Sequence, residues 1–193
     1  INLALYYAYK GFKTLLIEPA WSETIFGSYP QLFQNHNPRY LQISLDSPPN
    51  LENEEADIIL FDLGFSQHFP YWHKLSPFQV ILIVSLPNFY SLIESYVLLK
   101  MLDLTFDSQL ALVINRAQKN EKYRDTIKTL KSLANKYISK ELIWLGTIPE
   151  YLGQREFPEK LPILVKEPNN EFSQRISALG QKLLKLSQDI FPT

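Results

Sequence analysis

Four apolar runs of strand length constrain this chain more than any other feature: "DIILFDL" (57–63), "QVILIVS" (79–85), "LALVIN" (110–115) and "ELIWLGTI" (141–148). A strand with one face in water alternates apolar and polar residues. Runs without alternation belong to strands covered on both faces, as in parallel sheets. Helical segments separate the last three runs. Ser91 with Glu94 reads as a capping box for a helix reaching about Leu102. Tyr123, Ile127, Leu130, Leu133 and Tyr137 recur at three and four, and a final helix over 171–188 aligns Ile176, Leu179, Leu183 and Leu186. At the start, Leu3, Ala4, Tyr7 and Ala8 share a helical face and Gly11 is placed to end it. "TLLIEP" (14–19) and the weaker "LQISL" (41–45) read as short strands. The pattern predicts an α/β fold: a doubly wound, mostly parallel sheet with helices on both faces, as one domain over 1–193.

Composition narrows the chemistry. With 193 residues, 46% of them hydrophobic, the chain can bury one substantial core. It has no cysteine, which removes disulfides, cysteine-ligated zinc and thiol catalysis. A net charge of −1 gives no global attraction to nucleic acid or to an anionic membrane. No signal-peptide pattern is visible, so the expected compartment is the cytoplasm. Between Leu75 and Ile93 lie 19 uncharged residues, near a membrane-spanning length. Pro77, Pro87, Asn88 and three serines interrupt them, and a strand followed by a helix is the reading. Region 20–50, with Pro30, Pro38, Pro48 and Pro49, has no regular pattern beyond "LQISL".

In parallel sheets, ligands sit beyond the carboxyl ends of the strands. Those ends here carry Glu18; Asp62 with Gly64 and Ser66; Ser85 with Pro87; Asn115 with Arg116; and Pro149 with Glu150. Polar groups gathered at five ends suit a nucleotide or phosphate. The six glycines form no phosphate-cradling cluster, and "GFKT" (11–14) lies between a helix and the next strand, the reverse of a P-loop's position.

The order of these texts resembles the MinD/ParA-type P-loop ATPases. "NLALYYAYKGFKTLLIEPA" is similar to the helix and second strand that follow their P-loop. "ADIILFDLGFS" looks like their third-motif strand, "VILIVSLPNFYSLIESYVLLKML" like the next strand and helix, and "LALVINRAQ" like their adenine-reading N-R segment. "WLGTIPEYLGQREFPEKLPILVKEPNNEFSQRISALGQKL" matches their closing I-P-E/D turn and final helix. The helix wording is nearest the FlhG group, which sets flagellar number and position. The resemblance implies an ATP- or ADP-binding, magnesium-dependent switch. It would form a nucleotide-dependent homodimer and meet flagellar or polar-assembly proteins. Asp62 and Glu18 would serve the metal, and Asn115, Arg116, Pro149 and Glu150 the nucleotide base; no residue of the text is assigned to catalysis.

Departures from the family text carry their own implications. The usual D-x-D of the second strand is Glu18-Pro19-Ala20 here, Phe65 stands where a compact switch loop would be, and Gly64 is out of register. The resemblance thus implies weak or absent hydrolysis, or a pseudo-ATPase scaffold. The chain begins with Ile1 rather than Met, and the P-loop strand, central in this fold, would lie upstream of it. An upstream segment carrying that strand is the expectation.

Three remaining features receive plainer readings. His68 and His73 are spaced five apart around Pro70, unlike a helical ligand pair, and read as loop residues among aromatics. The seven Lys and Arg of 119–140 read as a solvated helix face. "QKLLKLSQDIF" (181–191) resembles the membrane-binding C-terminal helix of MinD-like proteins, which would place the chain at the inner membrane face or cell pole; packing on the sheet is the alternative.

Overall fold

The structure, a computed structural model, describes residues 2–17, 41–44, 55–62, 78–118, 124–151 and 162–190. Its elements are α1 (Asn2–Tyr9), β1 (Thr14–Ile17), β2 (Leu41–Ser44), β3 (Ile58–Phe61), β4 (Val80–Ser85), α2 (Phe89–Thr105), β5 (Gln109–Ala117), α3 (Arg124–Tyr137), β6 (Ile143–Pro149), α4 (Ile163–Lys166) and α5 (Glu171–Ile190). Every strand pair among the described residues is parallel. An α/β fold built on parallel strands is therefore what the apolar runs encode. The 19 uncharged residues divide into β4 and the start of α2, and no helix among the described residues is long and apolar enough to cross a membrane.

The chain forms two compact units, Ile1–Tyr71 with Arg155–Gly180, and Trp72–Gln154 with Gln181–Thr193. The first holds a sheet of order β2-β1-β3, in which Thr14 pairs with Leu41 on one side and Ile58 on the other. Burial on both faces makes β1 the core strand, with Leu15, Leu16 and Ile17 almost wholly withdrawn from water. Helix α1 ends as Gly11 leads one to expect. Phe12 N–H donates to Tyr7 C=O and Gly11 N–H to Ala8 C=O, with Gly11 at a φ of 92° that a side chain would strain.

Close packing in this unit centres on α1 against the first half of α5. The Tyr7 hydroxyl donates to the Gly180 carbonyl at 2.9 Å, and burial, with Tyr6 beside it, raises the Tyr7 phenol above its usual pKa. Gly180 has no room for more: a Cβ there would fall on the Tyr6 ring. Helix propensity alone favours alanine over glycine by about 1 kcal/mol, whereas overpacking a core costs about 1–3 kcal/mol. The Tyr6 ring, buried and edge-on to Tyr7 at 5.3 Å, has little freedom to retreat. Gly180→Ala is therefore expected to destabilise, by about 1 kcal/mol net, read as a lower urea midpoint.

The second unit holds the order β4-β5-β6. Its central strand β5 buries Leu110, Ala111, Leu112, Val113 and Ile114 without interruption. Helix α2 starts two residues before the expected capping box, because the cap is Asn88: its side-chain oxygen accepts from Ser91 N–H at 2.9 Å. Asn170 caps α5 in the same way, accepting from Ser173 N–H at 2.7 Å. Helix α3 also departs from its expected stripe. Ile127 and Leu130 are buried, but the ridge continues through Ala134 and Ile138, leaving Leu133 and Tyr137 exposed. The small Ala134 side chain occupies a place where periodicity suggested a larger one.

Asp103 joins the end of α2 to the turn after α3. Its carboxylate accepts from Ser139 N–H (2.8 Å), Ser139 Oγ (2.9 Å) and Lys140 N–H (3.1 Å). Burial pushes this carboxyl upward, but the three donors and the Lys140 charge outweigh it and hold it below its ordinary value. The unfolded chain thus binds the proton more readily. The resulting stability is present above the ordinary aspartate pKa of about 3.9 and is lost as pH falls through the lower folded value. Asp103→Asn is expected to cost about 1–3 kcal/mol at neutral pH and to flatten the acid limb of a stability-versus-pH profile.

Candidate functional site

In the second unit the parallel ladder brings the carboxyl ends of β4, β5 and β6 to one edge. The sequence-selected residues Asn115, Arg116, Pro149 and Glu150 lie there together, and Ser85 ends the neighbouring strand with its hydroxyl donating to Ser91 C=O at 3.1 Å. How β5 delivers Asn115 and Arg116 follows from its register. Ile114 pairs with Thr147 and Ala117 with Pro149, so two residues of β5 face one of β6, a bulge. Arg116 lies in the left-handed region, at a φ of 57°. Its N–H is taken by the Asn115 side-chain oxygen at 2.9 Å.

A second bulge, of opposite sense, precedes it. Leu112 pairs with Trp144 and Val113 with Gly146, so here β6 carries the extra residue, Leu145. Gly146 has a φ of 104°, which glycine adopts without penalty. The carbonyl of the extra Leu145 accepts from Lys182 Nζ at 3.2 Å. Because the two bulges cancel, the ladder returns to its starting offset, and Glu150 N–H can donate to Ala117 C=O at 3.2 Å. Gln118 Nε2 then donates to a Glu150 carboxylate oxygen at 2.8 Å.

Chemically this edge offers a half-buried amide in Asn115, an exposed guanidinium in Arg116, and the half-buried Pro149 and Glu150 at the end of β6, where the expected turn is a continuation of the strand pairing. A side-chain amide at a strand end can both donate and accept, as the edge of a heterocycle requires. Sequence reasoning selected all four residues but missed Gln118, Lys182 and the bulges. The one signal for these was the isolated Gly146 inside a strand pattern.

The metal residues fare differently. Asp62 follows β3 in the first unit; its N–H donates to Ile17 C=O at 2.9 Å, which prolongs the ladder, and the residue is exposed. Glu18 lies outside the described residues, as do Pro19, Ala20, Gly64, Phe65, Ser66, His68 and His73. No group of three or more metal-ligating side chains occurs among the described residues. Of the two residues expected to serve a metal, the structure thus describes Asp62 alone.

The class defined by these features is an α/β fold with polar side chains gathered at the carboxyl ends of parallel strands. Among solved structures it is similar to the MinD cell division protein of Aquifex aeolicus, with a TM-score of 0.67 and 17% identity over 95% of this chain and 89% of that one. It is similar also to Pyrococcus horikoshii MinD complexed with Mg-ADP (TM-score 0.68, 14% identity, 96% and 89% covered). A ParA family ATPase from Chlorobium tepidum matches at a TM-score of 0.65 and 18% identity, with 94% and 90% covered. These likenesses establish the MinD/ParA-like P-loop NTPase fold. No protein-family model matches the sequence, and no curated protein does.

The strained position supplies a direct check. A left-handed backbone costs an L-residue about 1–2 kcal/mol, and Arg116 bears it where glycine would not. Arg116→Gly is expected to raise stability by about 0.5–1 kcal/mol in urea unfolding, and Arg116→Val to lower it.

Proposed function

We propose that this chain is the nucleotide-responding domain of a MinD/ParA-type switch, taking the adenine of ATP or ADP at the bulged end of β5. The observation that supports this reading is that bulge: it brings Asn115 and Arg116 to the end of β5 just before Ala117 pairs with Pro149, and leaves Arg116 exposed to solvent. Asn115 would pair with the base edge, Pro149 and Glu150 would bound its face, and Arg116 would lie alongside. Asp62, with Glu18, would hold magnesium through water. Magnesium, when bound with nucleotide, would offset phosphate charge. That a similar fold was solved with Mg-ADP, and another as a MinC:MinD complex, supports nucleotide and protein partners as the readout.

The FlhG-like helix wording of the sequence supports a finer reading: control of flagellar number or placement through flagellar or polar-assembly proteins, at the inner membrane face or the pole. Nucleotide would favour a homodimer. Ala20, standing where the family text has its second aspartate, favours slow or absent hydrolysis and keeps a second reading in view, a pseudo-ATPase scaffold that binds partners without turnover.

Titration of the native gene product with a fluorescent ADP analogue and magnesium tests the proposal. Saturable binding is expected, weakened at least about tenfold by Asn115→Ala, the loss of one base-edge hydrogen-bond pair, with loss of preference for adenine over guanine. Phosphate release should be slow and should rise in Ala20→Asp. Absence of binding at millimolar nucleotide would leave the scaffold reading.

A further inference from the structure

Helix α2 is apolar on every side, whereas a helix lying on a protein surface is normally polar on its outer face. Its inner side is accounted for: Leu92, Ser95, Leu99, Leu102 and Asp103 are buried. Its outer side carries Tyr90, Ile93, Val97, Met101 and Leu104, spaced three, four, four and three residues apart, and all are exposed. At the ends of the stripe, Tyr90 is 78% and Leu104 80% exposed. The charged residues Glu94 and Lys100 fall on its two margins, three residues either side of Val97.

We propose that this stripe is a two-fold interface with a second copy of the chain, formed by antiparallel pairing of α2 helices about Val97. Two observations select a second copy. The first is area. With Phe89, the stripe exposes roughly 600–700 Å² of side chain, more than the largest patch of a typical monomer. Doubled by a two-fold contact this is about 1,300 Å², within the roughly 1,200–2,000 Å² of stable specific interfaces. The second is self-complementarity. The spacing reads the same from either end, so antiparallel pairing sets Val97 on Val97, Ile93 on Met101 and Tyr90 on Leu104. It also opposes the two helix dipoles, whereas parallel pairing would align them and stack Tyr90 on itself.

This contact involves neither the β5 edge nor nucleotide, so it stands apart from the functional reading above. Sedimentation velocity of the full chain from 1 to 100 µM, with and without Mg-ADP, is the first test. A concentration-dependent dimer is expected in both conditions. Val97→Asp and Leu104→Glu, both at exposed positions, should weaken it at least tenfold while the circular dichroism stays unchanged. Geometry is read by oxidation, since the chain has no cysteine. Val97→Cys should form a disulfide-linked dimer, Leu104→Cys alone should not, and a mixture of Leu104→Cys with Tyr90→Cys should. A monomer at 100 µM, a dimer indifferent to Val97→Asp, or self-crosslinking of Leu104→Cys would each overturn the proposal.

Discussion

Five consecutive side chains of β5, Leu110 to Ile114, are buried while the strand's backbone bonds to β4 on one side and β6 on the other. Leu110, Leu112 and Ile114 fill one face and the smaller Ala111 and Val113 the other, the larger side chains each contributing about 1.5–3 kcal/mol when buried; they hold this strand in one register, because a slip of one residue would exchange the large face for the small one. Everything else in the second unit is referred to that strand. Helix α2 lies on one flank of it in sequence and α3 on the other, and Asp103 ties the end of the first to the turn after the second through three hydrogen bonds. The polar edge is simply where the buried run stops.

A buried ladder of this kind is rigid, yet its end must turn side chains out of the pleat. The paired bulges reconcile the two. One extra residue in β6 at Leu145 and one in β5 at Asn115–Arg116 shift the register and restore it within a few residues. Each leaves a backbone group outside the ladder, and each such group is answered: the Leu145 carbonyl by Lys182, and the Arg116 N–H by Asn115. An unanswered buried group would cost about 1–3 kcal/mol. The amide at Asn115 thus has two tasks, closing its own bulge and standing at the edge, and only a short side chain with an acceptor at that distance can close it.

Much of this was legible in the sequence because a strand within a parallel sheet carries an unbroken apolar run, buried on both faces in β5, whereas β4 keeps the run although Val84 is 56% exposed. "LALVIN" and "QVILIVS" needed no alignment to read as β5 and β4, and Asn115, Arg116, Pro149 and Glu150 followed from asking what comes after each run. The misses share a cause. The cap at Asn88 and the ridge through Ala134 depend on local competition, one between two acceptors and the other between a large and a small side chain, which periodicity does not rank. The bulges were hidden because they add a residue to each strand, so the apolar runs keep their length and only the pairing records the shift. Lys182 is far from Leu145 in sequence, and nothing local announces their contact.

Helix α2 shows the same limit from the other side. Its text is apolar enough to read as a core helix, and periodicity within it is weak because nearly every position is apolar. Composition therefore states that both sides of the helix are to be kept from water but names only one of the two coverings. The chain supplies the inner one. For the outer one, the arrangement of sizes is more informative than the hydrophobicity: valine at the centre, isoleucine and methionine next, tyrosine and leucine at the ends. A face meant for one asymmetric partner has no reason to be graded symmetrically about its middle, whereas a face that meets itself across a two-fold axis must pair each residue with its mirror position.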